Sequence, residues 1–215
     1  MAYGFTFSNN QGVVTLDSEY SRLVVLASGR YDPNGVLFPQ AITSQEAPLI
    51  FVKPDDATAV FQWCRILGGP GNWVGFGKGA GQNVGSGEYF LAAYASTPTD
   101  TYGMRLWDAS GKQLFDSGTP CAQFTTVVST WQYDGSVNTS VGRWSFFWSQ
   151  AAPLNNGDFM MINNISMDLP CRDTFGKLSV SQNRNTNRVS VILQNIGDFN
   201  GSSLFLPVLF AKKIS

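Results

Sequence analysis

The chain has 215 residues, with 14 Lys and Arg, 15 Asp and Glu, no histidine and a formal net charge of −1. Hydrophobic residues make up 43% and charged residues 13%, which excludes an intrinsically disordered chain. The missing cationic excess argues against nucleic-acid binding, and the missing histidine excludes Ser-His-Asp and Cys-His pairs and His-ligated metals.

The first ten residues, MAYGFTFSNN, have neither the basic start nor the apolar stretch of an export signal. The longest apolar run, SLFLPVLFA at 203–211, has about half the length of a membrane span. We therefore expect synthesis in the cytoplasm and no membrane insertion. In that reducing compartment Cys64, Cys121 and Cys171, which have no CxxC spacing, are predicted to be buried thiols.

Residues 3–18, YGFTFSNNQGVVTLDS, are predicted to form a β-hairpin, and residues 102–117, YGMRLWDASGKQLFDS, have the same outline. Tyr-Gly opens both segments, Gly12 and Gly111 stand where a hairpin loop needs positive φ, and Asp-Ser closes both. Five identities at the same spacing favour two related β-units, or one motif used twice.

Short apolar segments recur along the rest of the chain, separated by Gly, Asn, Asp, Ser and Pro clusters. Alternation places Trp144, Phe146 and Trp148 on the inward face of one strand. Only 54–67, PDDATAVFQWCRIL, has a helical alternative, and a strand fits it equally well. We predict an all-β protein, a β-sandwich or jelly-roll, with β-units at 1–100 and 101–215 that can also pack as a single domain.

A glycine-rich run, GGPGNWVGFGKGAGQNVGSGEY, occupies residues 68–89. It fits neither a Walker A loop nor a dinucleotide fingerprint. We interpret it as an extended, mobile loop that joins two strands and that Trp73 and Phe76 anchor to a neighbouring chain. Trp107 and Trp131 are further candidates for an interface or receptor contact, because both are predicted to be exposed and aromatic residues are enriched at interfaces.

The pattern Tyr-Gly-x-x-(apolar)-x-x-x-x-Gly-x-x-x-(apolar)-Asp-Ser at 102–117, with a weaker echo at 3–18, resembles a hairpin in small tail proteins of tailed double-stranded DNA bacteriophages. This resemblance implies a structural subunit of the tail tip, baseplate or fibre region, with no catalysis. It also implies other phage tail proteins as partners, a homotrimer or homohexamer, and localisation in the virion. From the missing histidine and the unmatched glycine motifs we expect no metal and no cofactor.

Two other functions remain open. One is a receptor- or glycan-binding module that uses exposed aromatic residues to contact a host surface glycan. The other is a polysaccharide hydrolase, which needs two carboxylates about 5 to 9 Å apart in a cleft. Most of the acidic residues stand in turn-like contexts, where Asp usually accepts hydrogen bonds from its own backbone, so we expect the protein not to be an enzyme.

Overall fold

The computed structural model describes residues 6–8, 14–17, 23–77, 85–94, 103–108, 110–111, 113–165, 168–170, 175–197 and 203–214. In this part of the chain the only helical element is a 3₁₀ turn at Asn163–Ile165, so the all-β prediction is confirmed. The strands are, in chain order, β1 (Thr6–Ser8), β2 (Val14–Asp17), β3 (Leu23–Tyr31), β4 (Gly35–Ile42), β5 (Leu49–Pro54), β6 (Val60–Gln62), β7 (Arg65–Gly69), β8 (Asn72–Gly77), β9 (Gly87–Tyr94), β10 (Arg105–Trp107), β11 (Gln113–Asp116), β12 (Cys121–Val128), β13 (Gln132–Ser140), β14 (Arg143–Ala151), β15 (Phe159–Met161), β16 (Asp168–Pro170), β17 (Phe175–Asn183), β18 (Arg188–Ile196) and β19 (Val208–Ile214).

Six antiparallel strands close into a barrel in the order β12-β19-β15-β5-β9-β3. The seam between β3 and β12 is narrow, because Cys121 opposite Val24 is the one residue pair that joins these two strands. A backbone hydrogen bond from the Val25 amide to the Pro120 carbonyl, 2.7 Å long, adds to it.

The central barrel strands are buried on both faces. In β5, Ile50 and Val52 point outward into the main core, whereas Phe51 points into the barrel and stacks on Phe90 of β9 at 4.7 Å between ring centroids. A strand covered on both faces has no polar face to alternate with. This explains why LIFVK and EYFLAAYA are nearly continuous apolar runs in the sequence.

A second sheet, in the order β13-β14-β18-β17-β16 with β6 beside β17, packs against the outside of the barrel. Its inward face includes Phe61, Trp148 and Val191, all fully buried. The predicted inward stripe holds for Phe146 and Trp148 but is wrong for Trp144, which is 39% exposed. The pairing of β14 with β18 shifts register between Trp144 and Phe146, and this irregularity breaks the alternation at the start of the strand.

The helical alternative for 54–67 is wrong, because this segment contains a turn followed by β6 and the start of β7. The Asp56 carboxylate accepts hydrogen bonds from the amide and the hydroxyl of Thr58, both at 2.8 Å, and so holds the turn. Val60 and Phe61, which favour strands, then enter the second sheet.

The glycine-rich run is not a loop over its first ten residues. β7 and β8 form a tight hairpin, and β4 pairs with the other edge of β8 to complete a three-stranded sheet. A Cβ on Gly75 would lie 2.4 Å from the Val36 carbonyl oxygen, and one on Gly68, whose φ is +105°, would lie 2.1 Å from the Asn72 carbonyl oxygen. Glycine here allows backbones to approach closely. Residues 78–84 lie outside the described residues.

The two halves of the chain share the barrel. Strands β3, β5 and β9 come from 1–100, and strands β12, β15 and β19 come from 101–215. The second sheet also mixes halves, because β6 pairs with β17. The boundary near residue 100 therefore does not separate two closed sheets.

The two predicted hairpins have the same register. The pairs in the first hairpin are Thr6–Asp17, Phe7–Leu16 and Ser8–Val14, and those in the second are Arg105–Asp116, Leu106–Phe115 and Trp107–Gln113. Each pair of the second stands 99 positions after its counterpart, and the register shift falls at the same place in both. The strands predicted for 3–8 and 102–107 are thus confirmed for 6–8 and 105–107, but the prediction is wrong for Gly103 and Met104, which precede β10. Residues 3–5, Gly12 and Tyr102 lie outside the described residues.

The second hairpin gives a physical reason for its Tyr-Gly and Asp-Ser ends. The Oγ of Ser117 accepts a hydrogen bond from the Met104 amide at 2.9 Å, and a Cβ on Gly103, whose φ is +138°, would lie 2.2 Å from that oxygen. Only glycine leaves room for this contact. The Oδ1 of Asp116 accepts from the Gly118 amide at 2.8 Å, as expected for an Asp at a strand end.

Two of the three cysteines are described, and both are buried thiols as predicted. The Cys121 Sγ donates to the Thr119 carbonyl at 3.4 Å. Cys171 lies outside the described residues. Buried thiols of this kind pack as small apolar side chains.

Candidate functional site

The two aromatic residues predicted as loop anchors both belong to β8. Phe76 is 4% exposed and lies between Tyr31 and Tyr89, with ring centroids 5.8 Å from each. Trp73 is half-buried, and its indole N–H donates to the Ser44 carbonyl at 2.9 Å. Phe76 is therefore a core residue and not an anchor for another chain, and Trp73 is held within its own subunit. The prediction missed this because it treated the segment as a loop.

The other two tryptophans differ from one another. Trp107, at the end of β10, is 55% exposed, as predicted. Trp131 is half-buried against the main core, and its indole N–H donates to the Leu206 carbonyl at 2.8 Å. The predicted exposure of Trp131 is therefore wrong, because a hydrogen-bond partner for the indole lies inside the subunit.

The hairpin formed by β13 and β14, with its tip at Val141 and Gly142, carries four of the exposed large apolar side chains of the described residues. Val141 is fully exposed at the tip, and Val137 is 56% exposed on β13. Tyr133 and Trp144 lie at 37% and 39%. A β-branched apolar residue is unusual at a hairpin tip, where Gly, Asn and Asp are preferred.

The charge on this hairpin is low. Between Gln132 and Trp144 the only charged residues are Asp134 and Arg143. Within the described residues no strand pairs with the outer edge of β13. An edge strand without lysines is open to another chain. However, the pairing of β13 with β14 shifts register after Tyr133 and after Asn138. These bulges interrupt a regular hydrogen-bond ladder, so side chains would make most of any contact.

This hairpin is not among the predicted contact sites. The predicted contact residues are aromatic, whereas the most exposed apolar side chain on the hairpin is a valine. The sequence feature that could have predicted this surface is Val141-Gly142 between two strand-like segments, because it places an apolar residue in a tight, exposed turn. Gly142 has a φ of +71°, which lets the turn form with two residues.

Three pockets in the described part of the chain have volumes of about 570, 450 and 210 Å³. Each is lined by one carboxylate, from Glu88, Glu46 and Asp32 respectively. None of these three contains the two acids that a glycoside hydrolase requires. Among the described residues there is also no helix with the length and hydrophobicity to cross a membrane.

Comparison of the chain with protein-family models, with curated proteins and with solved structures finds no match. The likeness to phage tail proteins therefore depends on the hairpin outline alone. The geometry of the exposed surface is the remaining basis for a functional argument.

Proposed function

We propose that the chain is a structural subunit of a bacteriophage tail end, in the tail tip, baseplate or fibre region, and that it acts through contacts with copies of itself and with other tail proteins. The observation that supports this best is the hairpin of β13 and β14. It presents Tyr133, Val137, Val141 and Trp144 to solvent with little charge around them.

The free energy falls when a neighbouring chain covers the exposed apolar surface of this hairpin. Burying apolar side chains is favourable by about 25 cal/mol per Å² removed from water, so the exposed parts of these side chains favour a contact with a neighbouring chain. Single exposed apolar residues are ordinary on a soluble protein, but clustered ones mark interaction sites. The low charge fraction of the whole chain, 13%, gives little electrostatic repulsion between copies.

The hairpin proposal predicts that Val141→Asp weakens self-association at least about tenfold, since a carboxylate would be desolvated in the contact. Sedimentation velocity on the purified protein measures this, and far-UV circular dichroism checks the fold. Phe205→Asp is the matched control, because Phe205 is 93% exposed outside any strand.

A wild-type protein that stays monomeric, or a control variant that dissociates as readily as Val141→Asp, would contradict the role of the hairpin. The virion assignment has its own test, which is mass spectrometry of purified particles. A chain absent from them rejects that assignment.

A further inference from the structure

The 570 Å³ pocket is the end of the barrel, where the interior changes from apolar to charged. Along each strand the residue two positions beyond an interior apolar one stays on the interior face. By this rule three charged side chains lie on the interior face, each two positions from an interior apolar residue: Lys53 from Phe51, Glu88 from Phe90, and Lys213 from Ala211. Ser28 and Arg30 of β3 lie opposite Phe90 and Glu88.

The charges at this opening do not cancel. Arg30 pairs with Asp55, and Lys53 Nζ lies 3.1 Å from Glu88 Oε1. Lys213 lines the pocket from the interior face of β19, and Lys212, which alternation places on the outer face, also lines it; within the described residues neither has a carboxylate partner. The residues that line the pocket include three cations, Arg30, Lys212 and Lys213, and one acid, Glu88, which leaves a local charge of +2 on a chain whose net charge is −1.

The polar and apolar groups are arranged around one space. Ser28 Oγ, which accepts from Lys213 Nζ at 3.3 Å, and the Glu88 carboxylate can accept hydrogen bonds from hydroxyl groups. Phe159 is half-buried at the base, with Lys53 Nζ 5.3 Å from its ring centroid. Because this ammonium lies over the ring, it disfavours stacking of a nucleobase on Phe159. The volume lies in the range of small-ligand sites.

We propose that this pocket binds an acidic saccharide, with the carboxylate or sulfate of the sugar against Lys212 and Lys213 and its hydroxyl groups toward Ser28 and Glu88. A net charge of +2 suits one or two negative charges, and Glu88 disfavours a polyphosphate. The pocket and the hairpin are different surfaces, so this inference does not depend on the proposed tail function.

The test compares methyl β-glucuronide with methyl β-glucoside by isothermal titration calorimetry, because these two probes differ at C6, in a carboxylate against a hydroxymethyl group. We expect the glucuronide to bind at least about tenfold more tightly, which corresponds to one charge-assisted hydrogen bond. Lys213→Gln should remove most of this preference. Lys177→Gln, an exposed lysine on β17, is the matched control and should leave it unchanged.

Four results would overturn the inference: no glucuronide binding at millimolar concentration, equal binding of the glucoside, acetate or AMP binding as tightly as the glucuronide, and equal loss in the control. Lys212→Gln provides a second variant if Lys213→Gln does not fold. Neither lysine is part of the hairpin, so self-association should remain as in the wild type.

Discussion

Gly103 and Ser117 show how two residues distant in sequence can require one another. The Ser117 hydroxyl binds the Met104 amide only because residue 103 has no side chain in the way. The sequence outline predicted a hairpin from Tyr-Gly and Asp-Ser, but it could not reveal this contact. The sequence shows that Tyr-Gly and Asp-Ser recur at the same spacing. The reason for this spacing is the contact between the Ser117 hydroxyl and the backbone at residues 103 and 104, which only the structure shows.

We expect Gly103→Ala to lower the free energy of unfolding by about 1–3 kcal/mol, because alanine is strained at a φ of +138° and would clash with the hydroxyl. Ser117→Ala alone should cost about 1 kcal/mol for the lost hydrogen bond. The double variant should cost less than the sum, because removing the hydroxyl also removes the clash. Urea denaturation of all four proteins measures this, and strict additivity would refute the link.

We expect the free energy of unfolding to depend on pH through Asp116. Its side chain is 2% exposed, and a hydrogen bond from Arg105 Nε at 2.7 Å is the main cause that holds the pKa of this carboxyl below its ordinary value. A lowered native pKa means that the ionised form contributes stability above the unfolded pKa of about 3.9, and that this contribution is lost as the pH falls below it.

In Asp116→Asn the group no longer titrates. The difference in unfolding free energy between wild type and this variant should therefore be constant from pH 7 to about pH 5 and shrink toward pH 3. Chemical denaturation across this range measures the difference. Asp134→Asn, on the exposed strand β13, is the control and should show little change. A difference that is the same at pH 3 and pH 6 would contradict the role of Asp116.

Strands could be predicted from the sequence where the residue pattern has only one structural explanation. The central barrel strands β5 and β9 were found because their nearly continuous apolar runs reflect burial on both faces. The hairpin of β7 and β8 was missed because glycine has two uses that look the same in sequence. It gives freedom to a loop, and it also lets two backbones approach within a sheet. Here the second use holds for Gly68 and Gly75.

Gly75 and Gly69 make a matched pair for testing this point in one hairpin. A Cβ on Gly75 would meet the Val36 carbonyl at 2.4 Å, whereas one on Gly69 would meet nothing within 4 Å. Gly75→Ala should therefore destabilise the protein by about 1–3 kcal/mol, as overpacking does. Gly69→Ala should change stability by no more than about 0.5 kcal/mol. Thermal unfolding compares them, and equal effects would mean that close approach is not the reason for glycine here.

At the scale of the whole molecule, the sequence predicted the class and the repeated motif but not how the halves combine. The hairpin of β1 and β2 precedes β3, the hairpin of β10 and β11 leads into β12, and these two strands meet at the seam of the barrel. The motif used twice is thus a hairpin followed by a barrel strand. The residue pattern of one strand does not show which distant strand it pairs with, because the apolar and polar alternation within a strand is the same whichever strand lies beside it.

The narrow seam has a consequence for folding. It joins Val24 to Cys121 across about 100 residues, and the entropy lost on closing a loop grows with its length. One residue pair contributes little enthalpy, so closing the seam is poorly compensated until the other five strand pairings of the barrel have formed. We expect this seam to be the last part of the barrel to form and the first to open, and the chain to fold slowly, on the timescale of other proteins rich in long-range strand pairs.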